Sequence, residues 1–250
     1  MALVRTQARS TEPVDLPPPF RLVRLREAGD AFAHAQAIAP TAGAGTLVQV
    51  GRFDLTEFAV VLEPDEPLRR ARWALYVGLT ALGDALAGLA PPEKPIRFDW
   101  PAAVRLDGGL VGGARLAWPA GVGEDETPDW LVFGAMIRTT PGREAEPGVV
   151  PFATTLRDEG FGAASSPELI EGFARHLMAG FDLHAERGLD AVKARYLRRL
   201  SPLGASVLDL DADGDLLLLS EAGSVLETRS LRAALAEPGW LDPERREPWR

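Results

Sequence analysis

Hydrophobic residues recur along the chain in two patterns: short apolar or alternating runs, and longer stretches with helical spacing. The short runs are bounded by Gly, Pro and Asp and predict β-strands. Before residue 201 these strands are expected at residues 20–25, 46–50, 56–62, within 97–119 and at 129–139. The stretches with helical spacing predict helices at residues 27–39, 66–89, 166–187 and 189–200.

Proline and serine mark several of the expected helix ends. Pro40 is expected to end the first helix, and Pro67 suits the first turn of the second. Ser165 or Ser166 is a suitable N-cap for the third helix.

After residue 201 the pattern changes to short strands, at residues 205–210, 216–220 and 224–228, with a helical turn at 230–236. We therefore place a domain boundary near Pro202. The expected organisation is an extended segment at 1–19, a main domain at 20–200 and a small β-rich domain at 201–250. The fold class is α+β, with a mixed β-sheet flanked by helices in the main domain.

The segment 97–119 predicts two strands joined by a tight turn at Asp107-Gly108, where both residues must reach positive φ. Gly112 and Gly113 lie in the return strand. Two adjacent glycines inside a strand predict a bulge, or a place where a ligand approaches the backbone closely. We expect Trp100-Pro101 to face this glycine pair across the hairpin.

Composition and charge exclude several classes of function. The net charge of −9 argues against nucleic acid or an anionic membrane as the main partner. The chain has no cysteine, which excludes a disulfide scaffold and a thiol nucleophile and fits a cytoplasmic protein. We find no secretory signal and no apolar run of membrane-spanning length.

The sequence gives no support for a metal site. The acidic run 209–214 resembles the opening of an EF-hand loop, but Ser220 stands where the loop needs a bidentate Glu. A β-hairpin with an Asp-Gly turn explains the run better. The three histidines do not have the spacing of two ligands on one helix face; they are His34, His176 and His184.

The Trp-Pro hairpin with its glycine pair, together with the order of the elements, resembles the biotin protein ligase and lipoate protein ligase superfamily. In that family the glycine pair lies beside the bound vitamin. A Gly-Thr strand with a Gln, followed by Gly-Arg, also matches; the residues are Gly45, Thr46, Gln49, Gly51 and Arg52. Residues 211–214 match the Asp-x-Asp-Gly hairpin of the small SH3-like unit that closes the biotin ligases. The resemblance spans residues 24–235 and points to a divergent biotin/lipoate ligase-like branch.

The resemblance implies a chemistry and a set of site residues. Ligases of this family use ATP with Mg to activate a carboxylic acid such as biotin or lipoate, and pass the acyl group to a lysine of a carrier protein, a biotinyl or lipoyl domain. The substrate-binding residues that the resemblance implies here are Arg52, Trp100, Pro101, Gly112 and Gly113.

The sequence departs from the family at the groups that activate the acid. The family motif Lys-Trp-Pro-Asn-Asp begins here with Asp99 and ends with Ala102 and Ala103. The lysine before the glycine pair is replaced by Leu110, and the adenylate loop is shortened to residues 51–54. Removing one preorganised charge-stabilising group costs about 10²–10³ in rate. The usual adenylation chemistry is therefore in doubt.

Arginines could replace the missing lysines, because guanidinium groups suit phosphate and carboxylate. The candidates are Arg97, Arg105 and Arg138, the last of which stands where the family has Asn; Arg52 and Arg115 are further options. Strand alternation puts Arg97 and Asp99 on one face and Phe98, Trp100 and Ala102 on the other. Arg97 and Asp99 could equally form a simple ion pair.

Three functions remain open from the sequence. The first is ATP-dependent ligation with a rebuilt set of cations. The second is a binding module that recognises a small carboxylic acid or a carrier domain without adenylation. The third is an ATP-independent acyltransferase, although the lipoyl-type transferases depend on a Lys and a Cys. The chain has no Cys, and its lysines, Lys94 and Lys193, match no catalytic position by order.

Overall fold

The computed structural model describes residues 13–141, 152–162, 166–204 and 206–248. Its main sheet has seven strands in the order β1-β2-β3-β7-β6-β5-β4. They are β1 (Arg21–Leu25), β2 (Thr46–Val50), β3 (Leu55–Leu62), β4 (Ile96–Asp99), β5 (Ala103–Leu106), β6 (Gly109–Ala117) and β7 (Leu131–Arg138). β1 and β2 pair in parallel and the other neighbours are antiparallel, so the predicted mixed sheet is confirmed.

Helices cover both faces of this sheet. They are α1 (Ala31–Ala42), α2 (Leu68–Ala71), α3 (Ala74–Leu89), α4 (Ser166–Arg187), α5 (Leu189–Leu197) and α6 (Leu231–Ala236). α1 packs on one face, and α3 and α4 pack together on the other, where most of the hydrophobic core lies. Gly78 lets α3 lie close to β7, because a Cβ there would come within 2.3 Å of the Phe133 ring. None of the helices in the described ranges is long and apolar enough to cross a membrane.

A three-stranded sheet follows the main one, built from β8 (Val207–Leu210), β9 (Leu216–Leu219) and β10 (Val225–Arg229). The Asp-Gly hairpin predicted between β8 and β9 is confirmed: Gly214 has φ 83°, and the Asp211 carboxylate accepts from the amides of Asp213 and Asp215. The buried Tyr76 hydroxyl of α3 donates to the Gly214 carbonyl at 2.6 Å, which fastens this hairpin to the main core. The small β-rich C-terminal region is thereby confirmed, while the domain boundary near Pro202 stays a prediction.

The last described residues form a second small hairpin that the sequence did not predict. Its strands are β11 (Leu241–Asp242) and β12 (Glu247–Pro248), paired antiparallel. We call residues 238–248 the C-terminal hairpin. It lies against β6 and β7.

The first helix differs from its prediction at both ends. It begins at Ala31, after Asp30, whose carboxylate accepts from the Ala33 amide at 2.8 Å as an N-cap. Pro40 lies inside the last turn instead of ending the helix. A proline there removes one N–H donor, but its φ suits a helix, and the chain turns only at Gly43, which has φ 77°.

The predicted helix 66–89 is split, because Arg72 and Trp73 separate α2 from α3. Both side chains are held by partners distant in sequence: Arg72 pairs with Glu124 at 2.9 Å, and the Trp73 indole donates to the Ala212 carbonyl at 3.0 Å. The segment 97–119 likewise contains three strands and not two. Pro101 has no N–H for the ladder and lies at the break between β4 and β5.

Some expectations fall on residues that the structure does not describe. They are the N-terminal part of the extended segment at 1–12, most of the loop at 141–151, the cap at Ser165 and the first residue of the strand at 205–210. Ser166 is the first residue of α4, and its hydroxyl lies 2.6 Å from that of Thr56.

Candidate functional site

The hairpin of β5 and β6 has the local geometry that its sequence predicts. Asp107 and Gly108 both have positive φ, at 48° and 86°, so the tight turn is confirmed. Val104 lies opposite Gly112 and Arg105 opposite Leu110, which leaves one residue of β6 without a partner. This is the bulge that the glycine pair predicts.

Both glycines of the pair are tightly surrounded. A Cβ on Gly112 would lie 1.9 Å from the Met136 carbonyl oxygen. A Cβ on Gly113 would lie 2.4 Å from the Trp240 ring and 2.7 Å from the Ala102 carbonyl oxygen. A ring does approach the backbone closely at Gly113, and this ring belongs to the C-terminal hairpin of the same chain.

Trp240 closes an apolar cluster over the glycine strand. Its side chain is only 4% exposed, and its indole donates to the Ala114 carbonyl at 3.3 Å. The buried members of the cluster besides Trp240 are Leu55, Leu110 and Met136. The resemblance implies a lysine at the position of Leu110, and a charged group in this cluster would lose its hydration without a partner. The leucine is therefore consistent with the Trp240 cover.

Arg52 lies at the edge of this cluster and is held by two carboxylates. Its guanidinium donates to both oxygens of Asp54, at 3.0 and 2.8 Å, and to Glu247 of the C-terminal hairpin. The hydrogen bond to Asp54 is the main cause that raises the pKa of Arg52. Burial would raise the pKa of Asp54, but Arg52 outweighs it and holds that pKa below its ordinary value. The short loop 51–54 between β2 and β3 is as predicted.

Arg138 ends β7 beside Arg52. One of its terminal nitrogens donates to the Pro248 carbonyl of the C-terminal hairpin. Its Nε is buried and has no hydrogen-bond partner among the described residues. Burial lowers the pKa of Arg138 from its ordinary value. Arg52 and Arg138 thus meet under the hairpin that also carries Trp240. We call the surface formed by Leu110, Gly113, Met136, Arg52 and Arg138 the covered face.

A buried charged group adjoins the covered face, and the sequence analysis missed it. Glu57 lies in one row with Met136 and Gly113 across β3, β7 and β6. It is 4% exposed, and its Oε1 accepts from the Ala31 amide at 2.7 Å. Burial raises the pKa of Glu57, and the hydrogen bond from Ala31 opposes that rise. A single carboxylate inside the apolar strand 56–62 was the signal that could have revealed it.

Arg115 and Phe32 lie next to Glu57 on the same side of the sheet. The Arg115 guanidinium is 4.2 Å from the centre of the Phe32 ring, and burial lowers its pKa. The Phe32 ring fills the space above Gly134, where a Cβ would come within 2.5 Å of it. Arg246 of the C-terminal hairpin pairs with Asp30 at 3.0 Å and closes this end.

Trp100 and Pro101 lie away from the covered face. The Trp100 indole donates to the Tyr76 hydroxyl of α3 at 3.1 Å, and the Tyr196 hydroxyl donates to the Pro101 carbonyl at 2.9 Å. The glycine pair faces Ala103 and Val104, so the prediction that Trp100-Pro101 faces it is wrong. The break after β4 displaces these two residues from the ladder.

Two of the remaining predicted cations lie on the same side of the sheet as the covered face, at its β4–β5 edge, where Arg105 is directly opposite Leu110 and Arg97 is opposite Arg105. Arg105 pairs with Asp99, and Arg97 donates to the Arg198 carbonyl at 3.1 Å. The suggested Arg97–Asp99 ion pair is therefore wrong, because the partner of Asp99 is Arg105. The prediction that Phe98, Trp100 and Ala102 share one face agrees with their packing, since Phe98 and Ala102 belong to the main core cluster and Trp100 packs against it.

The covered face, as it stands, does not fit a nucleotide. Phosphates need cations with free donors. Arg52 is already matched by two carboxylates, and the space beside Gly113 is filled by an indole ring. What the described residues offer is an apolar surface with two guanidinium groups at one end.

Comparisons with known proteins agree with the fold. A family model described as the biotin/lipoate A/B protein ligase family matches residues 16–198. None of the curated proteins matches the chain. A biotin protein ligase-like protein of unknown function from Silicibacter sp. TM1040 is 27% identical, with a TM-score of 0.78, over 89% of this chain and 99% of that one.

Two structures of the biotin protein ligase from Aquifex aeolicus are also similar. The apo form is 18% identical, with a TM-score of 0.66, over 84% of this chain and 95% of that one. The complex with biotin and ATP is 19% identical, with a TM-score of 0.61, over 83% and 94% of the two chains. At these identities the ligase structures establish a shared fold.

Proposed function

Because the chain belongs to the biotin/lipoate A/B protein ligase family, we propose that it handles a biotin- or lipoate-type carboxylic acid without activating it on ATP. The acid would be free or attached to the lysine of a carrier protein. The protein is then a binding module of this family and not an ATP-dependent ligase.

The state of the cations is the observation that carries this proposal. By the resemblance, Asp99 stands in place of a lysine, and its charge is matched by Arg105. Arg52 is shared between Asp54 and Glu247. Adenylation builds negative charge on the acid and on the α-phosphate, and it needs preorganised cations aimed at both. The paired groups do not provide them.

The covered face nevertheless suits a carboxylic acid with an apolar body. Binding sites of this kind are mostly apolar, with a few polar groups that fix orientation. Leu110, Met136 and Leu55 supply the apolar part, and Arg138, whose Nε has no partner among the described residues, supplies a donor for a carboxylate.

An acyltransferase that uses a lysine nucleophile is less well supported. The Lys94 ammonium donates hydrogen bonds to Glu159 at 2.6 Å and to Asp107 at 3.0 Å. Both bonds raise the pKa of Lys94, and the bond to Glu159 contributes most. A lysine with a raised pKa stays protonated and is a poor nucleophile. Lys193 lies 3.0 Å from Asp209, remote from the covered face.

Thermal unfolding with ATP, biotin, lipoate and octanoate, singly and in pairs, tests the proposal. A ligand that binds only the folded state stabilises it by about 2.7 kcal/mol at a concentration of 100 Kd. We expect one of the acids to raise Tm, ATP to add nothing, and no pyrophosphate to form. Arg52→Gln should remove the response to the acid. Arg229→Gln, which also breaks an arginine–carboxylate pair but on β10, should keep it.

Two results would contradict the proposal. Pyrophosphate released only when both ATP and an acid are present would establish the ligase instead. The second result is that none of the acids changes Tm, either in the wild type or in the variants described below whose C-terminal hairpin is displaced. A small acid would then be excluded as the ligand, and a carrier domain would be the partner to test.

A further inference from the structure

The C-terminal hairpin presents two chemical groups to the covered face. Trp240 places an apolar ring over Gly113, and Glu247 places a carboxylate on Arg52. Trp240 comes directly before β11, and Glu247 lies in β12 opposite Asp242, so the two ends of the hairpin bring both groups to the covered face. A ring and a carboxylate, joined by an apolar chain, are also the parts of a biotin- or lipoate-type acid.

We propose that the C-terminal hairpin is an intramolecular ligand of the covered face, and that a carboxylic acid with an apolar body binds there by displacing it. Hairpin docking and acid binding are then mutually exclusive. This inference rests on the proposed function and adds to it the element of the chain that competes with the acid.

The hairpin leaves part of the covered face unsatisfied. Among the described residues, the Arg138 guanidinium donates to the Pro248 carbonyl oxygen, and its Nε has no partner. A carboxylate has two oxygens and can accept from a guanidinium at two positions, which a single carbonyl cannot do. A free acid therefore makes a better partner for Arg138 than the hairpin does, and it replaces Glu247 on Arg52 by a group of the same charge.

Several features of the C-terminal hairpin favour its displacement from the covered face. Its two strands pair over two residues each, and an isolated hairpin of this size is marginal in water. Residues 243–246 are exposed. Gly239 precedes Trp240, and a Cβ on it would meet no atom within 4 Å, so no packed neighbour holds the chain at this glycine. The segment between α6 and Trp240 can serve as a hinge.

The absence of cysteine from the chain makes hairpin docking directly measurable. Pro248→Cys puts a thiol at a buried position of β12, and Glu244→Cys puts one at the exposed tip. Labelling with a thiol reagent then reports how often each position is open to solvent. In otherwise wild-type protein, we expect position 248 to react at least about tenfold more slowly than position 244.

Biotin and octanoate are the ligands to add, since the disulfide of lipoate would exchange with the thiol. We expect the acid that binds to speed the labelling of position 248 by about tenfold while leaving position 244 unchanged. The double variant Trp240→Ala/Glu247→Gln, which removes both groups of the hairpin, should bind the same acid about tenfold more tightly in calorimetry, since it no longer has a competitor.

The outcomes separate this inference from the proposed function. An acid that binds both proteins equally and leaves labelling at position 248 unchanged would overturn the competition and keep the function. Labelling at position 248 that is as fast as at 244 without ligand would show that the hairpin is not docked, and would overturn the inference in the same way. If the double variant, in which the hairpin is displaced, binds neither biotin nor octanoate, both this inference and the proposed function are overturned. Because labelling is followed without the double substitution, a folding defect in that variant does not affect it.

Discussion

Glu57 is the clearest case of a single residue whose environment changes its chemistry. It lies in the apolar strand β3, and burial raises its pKa. The folded state therefore binds more protons than the unfolded state at pH values above the ordinary 4.5 of this group. Its contribution to the free energy of unfolding is greatest below that pH and falls as the pH rises.

Glu57→Gln removes this titration and keeps an oxygen that can accept from Ala31. We expect the variant to gain stability relative to the wild type as the pH is raised from about 4 to about 8, because only the wild type must ionise a buried carboxyl. Urea unfolding of both proteins across this range measures the difference. A difference that stays constant with pH would show that the carboxyl ionises in the fold as it does in water.

Single residues could be predicted where the constraint is local. Asp107-Gly108 predicts its turn because positive φ at adjacent positions limits the residue types that fit. The cover on Gly113 could not be predicted, since Trp240 and its hydrogen-bond acceptor Ala114 are 126 positions apart. The glycine pair predicted that something approaches the strand closely, but the sequence could not tell a ligand from another part of the chain.

At the scale of elements, Asp30 at the start of α1 connects this helix to the C-terminal hairpin. Asp30 caps α1 by accepting from the Ala33 amide, and its other oxygen pairs with Arg246. The cap satisfies a backbone donor that has no partner within the helix. The ion pair involves Arg246, whose side chain is 58% exposed. The two interactions therefore differ in their expected energies.

Two substitutions at position 30 separate the cap from the ion pair. Asp30→Asn keeps a side-chain oxygen for the cap and loses only the charge, so we expect a loss of a few tenths of a kcal/mol in the free energy of unfolding. Asp30→Ala removes both and should cost about 1 kcal/mol or more. Chemical denaturation measures both values. Equal losses would mean that the ion pair with Arg246, and not the cap, stabilises this helix.

Elements were predicted well where the apolar pattern follows one period. The strands of the sheet centre, β2, β3 and β7, and the helix α4 are examples. The break between α2 and α3 was not predicted, because Arg72 and Trp73 have the spacing of a continuous helix and are redirected by Glu124 and Ala212. Tertiary partners, which a local pattern does not contain, decide such breaks.

At the scale of the whole molecule, Tyr76 links the three parts of the fold. It lies on α3, its hydroxyl donates to Gly214 of the small sheet, and it accepts from the indole of Trp100 beside β4. The side chain is fully buried. Leucines 210, 216 and 218 of the small sheet belong to the same hydrophobic cluster as α3. The two sheets are therefore expected to unfold together.

Tyr76→Phe leaves the Gly214 carbonyl and the Trp100 indole without their partner, and we expect it to cost about 2–4 kcal/mol. Tyr196→Phe is the matched control, because it is equally buried and removes only the bond to Pro101. Its expected cost is about 1–2 kcal/mol. Urea unfolding followed by fluorescence and by circular dichroism measures both. Similar losses in the two variants would place the link between the sheets elsewhere.

The overall architecture could be predicted from the sequence because the order of elements and the hairpin motif resemble a known family. The state of the site could not. The resemblance led to Arg52 and the glycine pair, but residues 238–248 have no apolar period that predicts their position, and they cover these residues in the structure. A family motif indicates where a surface lies, and not which other segment rests on it.

The contact between Trp240 and Gly113 also constrains how this sequence can evolve. A methyl group at position 113 would overlap the indole ring, so any larger residue there is disfavoured while the tryptophan remains. A smaller residue at position 240 would remove the contact with the ring, but a Cβ at position 113 would still lie 2.7 Å from the Ala102 carbonyl oxygen. Substitution of Gly113 therefore requires change at two separate places in the fold, one of them in its last residues.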